Sequence, residues 1–84
     1  NTAMETATYP TQIDAQIMEV DRHLRARAQA GQDWVYVSGQ ICGKGTREFY
    51  RGLGYLVRCN SAPGDPSGYR VLLVPKHAAA QHYQ

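Results

Sequence analysis

The sequence predicts an α/β (α+β) domain of order α-β-α-β-β, a three-stranded mixed sheet with two helices on one face. Three observations lead there. Ile13, Ile17, Val20, Leu24 and Ala28 recur at spacings of four, three, four and four, the stripe of an amphipathic helix. Trp34–Val37, Tyr55–Cys59 and Tyr69–Val74 are runs of β-branched and aromatic residues, the composition of strands. A glycine-rich stretch after Ser38 and a Pro/Gly/Asp/Ser stretch from Asn60 to Gly68 separate these runs with turn chemistry.

Each element has its own signals. Residues 1–10 lack periodicity and read as an irregular N-terminal arm, leaving 11–76 as a single α/β domain and 77–84 as a C-terminal tail. Thr11 can cap the first helix, Asp14 stands near the positive end of its dipole, and Gly31 is the expected stop. Arg22, Arg25 and Arg27 suit its C-terminal half. The second helix should run from Thr46 to Arg51, place Phe49 and Leu53 inward, and end at Gly52-Leu53-Gly54. A right-handed crossover makes the first two strands parallel. A hairpin joins the last two, through a loop long enough to suggest a role or mobility. The tail is either a helical turn through Ala78–Ala80 or frayed.

Size and charge limit the function classes. A chain of 84 residues buries roughly 60–65% of its unfolded surface, so its core is marginal. Nine Lys and Arg against seven Asp and Glu give a net charge of +2, too mild to argue for nucleic acid. Tyr36, Arg58 and Arg70 could interleave ring and cation on one face, as a stacking platform requires. Leu72 and Val74 argue otherwise, so nucleic acid is not expected. The sequence shows no signal peptide and no long apolar run, so two reduced thiols, Cys42 and Cys59, in a cytoplasmic protein without membrane contact are expected.

The second face of the sheet poses a problem. Alternate strand residues point opposite ways, yet both sides here are rich in apolar groups. Trp34, Tyr36, Leu72 and Val74 are the candidate interface. Either the arm 1–10 covers them or a second copy does, and a homodimer or higher oligomer is favoured, since a small core needs further burial.

Motifs that suggest chemistry are few. Gly39-x-x-x-Gly43-Lys44-Gly45-Thr46 resembles a phosphate loop superficially. The Walker pattern needs four residues between its glycines and Ser or Thr directly after Lys, so an NTPase is excluded. What survives is an anion site of Gly43, Lys44, Gly45, Thr46 and Arg47 at a helix start, fit for a nucleotide or other phosphorylated small molecule. The competing reading is that these glycines only turn a strand into a helix. His23, His77 and His82 lack metal-ligand spacing, and no nucleophile–base set can be assembled. No enzyme activity, metal or cofactor is expected.

The segment Arg47-Glu-Phe-Tyr50-Arg-Gly-Leu-Gly54-Tyr55 resembles the aromatic-x-x-Leu-Gly-Tyr segment near the C-terminus of GNAT acetyltransferases. The likeness covers the topology of 12–75 but only these nine residues in motif. It implies a sheet order of first, third, second strand, and Tyr50 in the place of the family's tyrosine acid. Gln40-x-x-Gly43-x-Gly45 is similar to the family's pyrophosphate loop. One short helix cannot serve both motifs, and the family's N-terminal strands are missing, so at most half of that fold and no acetyl transfer are implied.

The expected function is therefore a small non-enzymatic protein acting through protein–protein contacts and through contacts with itself. Compact domains of this style are frequent among phage and mobile-element proteins that inhibit host machinery. A phosphorylated-ligand binder and a degenerate acetyltransferase-like module are the alternatives.

Overall fold

The computed structural model describes residues 2–77, with side chains described from Gln12 onward. The elements follow the predicted order: α1 (Thr2–Gln29), β1 (Val35–Ser38), α2 (Lys44–Gly52), β2 (Leu56–Ser61) and β3 (Tyr69–Val74). The strands lie in the order β1-β3-β2. Both ladders are antiparallel, so β1 and β2 point the same way from either side of β3. Among the described residues, no helix is long and apolar enough to cross a membrane.

Helix α1 begins at Thr2, not at residue 11, so residues 2–10 of the stretch read as an irregular arm are helical. Ala3, Met4, Glu5 and Ala7 are good helix formers. Pro10 lies inside the helix, where it forgoes one backbone bond, rather than at its start. Of the tail, Ala78–Gln84 lies outside the described residues, and so does His82.

Both helices end in the same way. Gln32 N–H donates to the Arg27 carbonyl and Gly31 N–H to that of Ala28. Tyr55 N–H likewise donates to the Tyr50 carbonyl and Gly54 N–H to that of Arg51. These are Schellman caps, which need a left-handed residue one position past the helix. Gly31 (φ 81°) and Gly54 (φ 96°) supply it. In the second cap the accompanying apolar contact is the edge-to-face pair Tyr50–Tyr55, with centroids 5.2 Å apart.

The register puts Val35, Val37, Val57, Val71 and Leu73 on one side of the sheet, all buried. They pack with Val20 of α1, Tyr50 of α2 and Cys42 of the glycine-rich loop. Phe49 and Leu53, expected inward, are exposed, and Thr46 and Tyr50 are buried instead. Helix α2 starts at Lys44, two residues earlier than expected. The polar-tipped Thr46 and Tyr50 tolerate burial because their hydroxyls reach Gln16 and Asp21.

Candidate functional site

The glycine-rich turn is used internally. Gln16, on α1, aims its side-chain oxygen at the start of α2. Its Oε1 accepts from Gly43 N–H (2.9 Å) and Thr46 Oγ1 (2.7 Å), and its Nε2 reaches the Gln40 carbonyl (3.5 Å). Gly43 is the N-cap residue of α2 and has no side-chain cap; Gln16 Oε1 instead holds that residue's own N–H, the bond an N3 side chain makes in a capping box. Arg47 turns back onto the loop. Its Nη1 donates to the Cys42 carbonyl (3.0 Å) and to Tyr69 Oη (2.9 Å), and its guanidinium lies 5.6 Å from the Tyr69 ring centre. Gly45 meets the Ile13 side chain of α1, and Lys44 is exposed. The five predicted anion-site residues are thus brought together. Gly43 and Thr46 donate to α1, and Arg47 to the loop carbonyl and Tyr69.

Gly39 has a steric reason of its own. A Cβ at that position would sit 2.4–2.6 Å from the Tyr69 ring. The glycine lets β3's first side chain lie flat across the loop where Arg47 covers it.

Tyr50 is 1% exposed and donates its one hydroxyl proton to Asp21 Oδ1 (2.6 Å), with the Ile17 carbonyl beside it at 3.2 Å. Burial first, and then the bond to Asp21, hold its phenol well above the ordinary tyrosine range. Its hydroxyl ties α2 to α1. Burial also pushes the Cys42 thiol up to about 11, against the lowering pull of Arg47. Cys42 is buried, Cys59 exposed, and both are free thiols. His23 pairs with Glu19 on the surface of α1, and His77 approaches Asp33 at 4.0 Å. No three metal-ligating side chains converge among the described residues. A cleft of about 310 Å³ between α1 and the Tyr55–Pro75 side joins Asp21, Asp33 and His77. The sequence reading did not see it, because those residues are far apart in the chain.

The face turned away from the helices is organised differently. The register arranges it as three rows across β1, β3 and β2: Trp34, Val74 and Leu56, then Tyr36, Leu72 and Arg58, then Ser38, Arg70 and Asn60. Trp34 precedes β1 and takes its place by extrapolating that ladder one residue. Of the predicted interface residues, Tyr36 is exposed, Trp34 and Leu72 are half-buried, and Val74 is fully buried. The chain therefore seals one corner of this face unaided, and Val74 is not available for contact. Leu56 is half-buried, whereas Arg58, Asn60 and Arg70 are exposed.

Polar contacts order the lower rows. Asn60 Nδ2 donates to Tyr36 Oη (2.9 Å), and Trp34 meets Tyr36 edge-to-face at 5.9 Å. Tyr36, Asn60, Ser61, Ala62 and Arg70 line a shallow depression of about 290 Å³. Loop 62–68 closes beside it. Asp65 accepts from both the hydroxyl and the amide of Ser67 and from Ser38 Oγ (2.8 Å). Those bonds, Ser67's first, hold its carboxyl below the usual range, helped by Arg70. The loop is also closed by Asp65 N–H to Ala62 O and Gly68 N–H to Asp65 O.

No family model, curated protein or solved structure matches this chain significantly. The GNAT likeness rests on those nine residues in motif and on the topology of 12–75, with the strand order β1-β3-β2. Three of the nine, Tyr50, Gly54 and Tyr55, have a complete local explanation in the Schellman cap that ends α2.

Proposed function

We propose that this chain is a non-catalytic binding protein that engages another protein through the open face of its sheet. One observation carries the reading. A surface with Tyr36 exposed, Trp34, Leu56 and Leu72 half-buried, and Arg58, Asn60 and Arg70 around them has the composition of an interface centre with a polar rim. Aromatic residues and arginine are the groups that contribute most at such surfaces.

The competing sites support this choice by contrast. The Gly43 amide and the Thr46 hydroxyl bond Gln16, and Arg47 bonds the loop and Tyr69, so a phosphate using those donors would have to displace contacts the fold uses. Tyr50 is buried against Asp21, which leaves it no substrate to protonate. A second copy ranks below a different protein. Stacking two such faces brings together two arginines from each and no carboxylate from either grid, which is costly when desolvated.

Site-specific photo-crosslinking in the cell that makes the protein tests the reading. A benzophenone side chain at Tyr36 should join the chain to a protein, whereas one at Glu48, exposed on α2, should not. Equal crosslinking from both positions, or none from Tyr36, overturns it.

A further inference from the structure

We infer that the segment received by this face is an acidic amphipathic helix of the partner protein, with one carboxylate seated in the depression between Asn60 and Arg70. The inference rests on the proposed use of the open face and adds the chemistry of what fills it.

The argument from charge comes first. The nine grid positions hold two arginines and no acidic residue. The depression is lined with donors: the Arg70 guanidinium, the Asn60 amide, and the Tyr36 hydroxyl, which accepts from Asn60 and so keeps its own proton to give. The nearby acid, Asp65, has its Oδ1 occupied by Ser38 and Ser67, and Arg70 adds a weaker lowering pull on its carboxyl. Arg70 Nη2 also reaches the Tyr36 carbonyl at 3.5 Å, a long bond that a carboxylate would outcompete. Arg58 and Arg70 sit one strand and one row apart. Strand spacing and two-residue rise put their Cα atoms about 8 Å from each other. Two carboxylates one helical turn apart fall within reach of both side chains.

Layering decides between a helix and an extended chain. Both helices of this protein pack on the same side of the sheet as the buried valines. A strand laid flat on the open face would leave its backbone groups facing side chains and unsatisfied. A helix satisfies its own backbone and completes a helix–sheet–helix sandwich, with its apolar stripe on Trp34, Leu72 and Leu56.

Selection of helical peptides from a display library with randomised surface positions, on the full chain, tests this. Trp34, the chain's one tryptophan, reports binding by fluorescence. The expected winners carry Asp or Glu one turn apart beside an apolar stripe. They should lose at least tenfold in affinity against Arg70→Glu and Arg58→Glu, and regain it when their acids are changed to Lys. Unchanged circular dichroism and melting would show that these variants fold. Winners with basic or neutral flanks, or winners indifferent to both charge reversals, overturn the inference. So does tighter binding of a random single-stranded RNA pool that is lost in Tyr36→Ala. Crosslinks from Tyr36 to a basic or extended segment would sink the acidic helix and leave the protein-binding reading standing. Absence of any protein crosslink removes both.

Discussion

The start of α2 and the open face of the sheet make opposite impressions in sequence and in space. The first carries glycines, a lysine and a hydroxyl in an order that suggests a ligand. In the fold the Gly43 amide, the Thr46 hydroxyl and the Arg47 guanidinium turn to Gln16, to the Cys42 carbonyl and to Tyr69, while Lys44 stays exposed. The second has no motif. Its residues come from three strands, yet they assemble a surface with aromatic, aliphatic and cationic groups turned outward. The glycine-rich helix start serves as a structural joint: Gln16 of α1 holds the Gly43 amide and the Thr46 hydroxyl across it.

That contrast can be broken most forcefully at Tyr50. Tyr50→Ala removes a buried ring and its hydroxyl's bond to Asp21, and should cost about 3–5 kcal/mol, a large share of a small domain's stability. Urea unfolding measures it. Binding at the open face, once corrected for the folded fraction, should not change. Gly39→Ala forces Tyr69 to move and should cost about 1–3 kcal/mol. In a Tyr69→Ala background the same change should cost less, a non-additivity a thermal double-mutant cycle would show.

Gln16→Leu leaves the Gly43 amide and Thr46 hydroxyl without their acceptor, for a loss of about 1–2 kcal/mol. In the wild-type chain, phosphate should leave the melting temperature unchanged. A rise that disappears in Lys44→Ala would restore the anion reading. Alkalinity probes the same joint. The Cys42 thiol ionises more readily in the unfolded chain, at its ordinary value of 9.0, than in the fold, at about 11. Its contribution is therefore complete below pH 9 and lost as pH rises toward 11. Chemical denaturation at a series of pH values should show that fall, and a Cys42→Ala chain should show less of it. The smallest stability effects belong to the face itself. Arg70→Glu, at an exposed position, should shift stability by under about 1 kcal/mol.

Much of the fold was legible because local physics wrote it. Strand β3 was read residue for residue, since Tyr69 to Val74 is a run of strand formers between Gly68 and Pro75. Gly31 ended α1 as expected because a left-handed cap needs glycine. The arm and the start of α2 were misread for one shared reason: boundaries were placed at punctuation. Pro10 does not start α1, and Gly45 does not precede α2 but lies within it. Thr46 and Tyr50, not Phe49 and Leu53, face inward because their hydroxyls are satisfied there. The partners that make this tolerable, Gln16 and Asp21, lie about thirty residues upstream, where no local pattern reveals them. Val74 was placed on the correct face but sealed by the fold, so the open side exposes less apolar surface than alternation alone implies.

Mapping amide and indole shifts of the isotope-labelled chain by two-dimensional NMR, during titration with a selected acidic helix, is the most direct trial. Movement at Trp34, Tyr36, Arg58, Arg70 and Leu72, with Gly43 to Arg47 still, is the expected record. Movement confined to Gly43–Arg47, with the three strands silent, would contradict it.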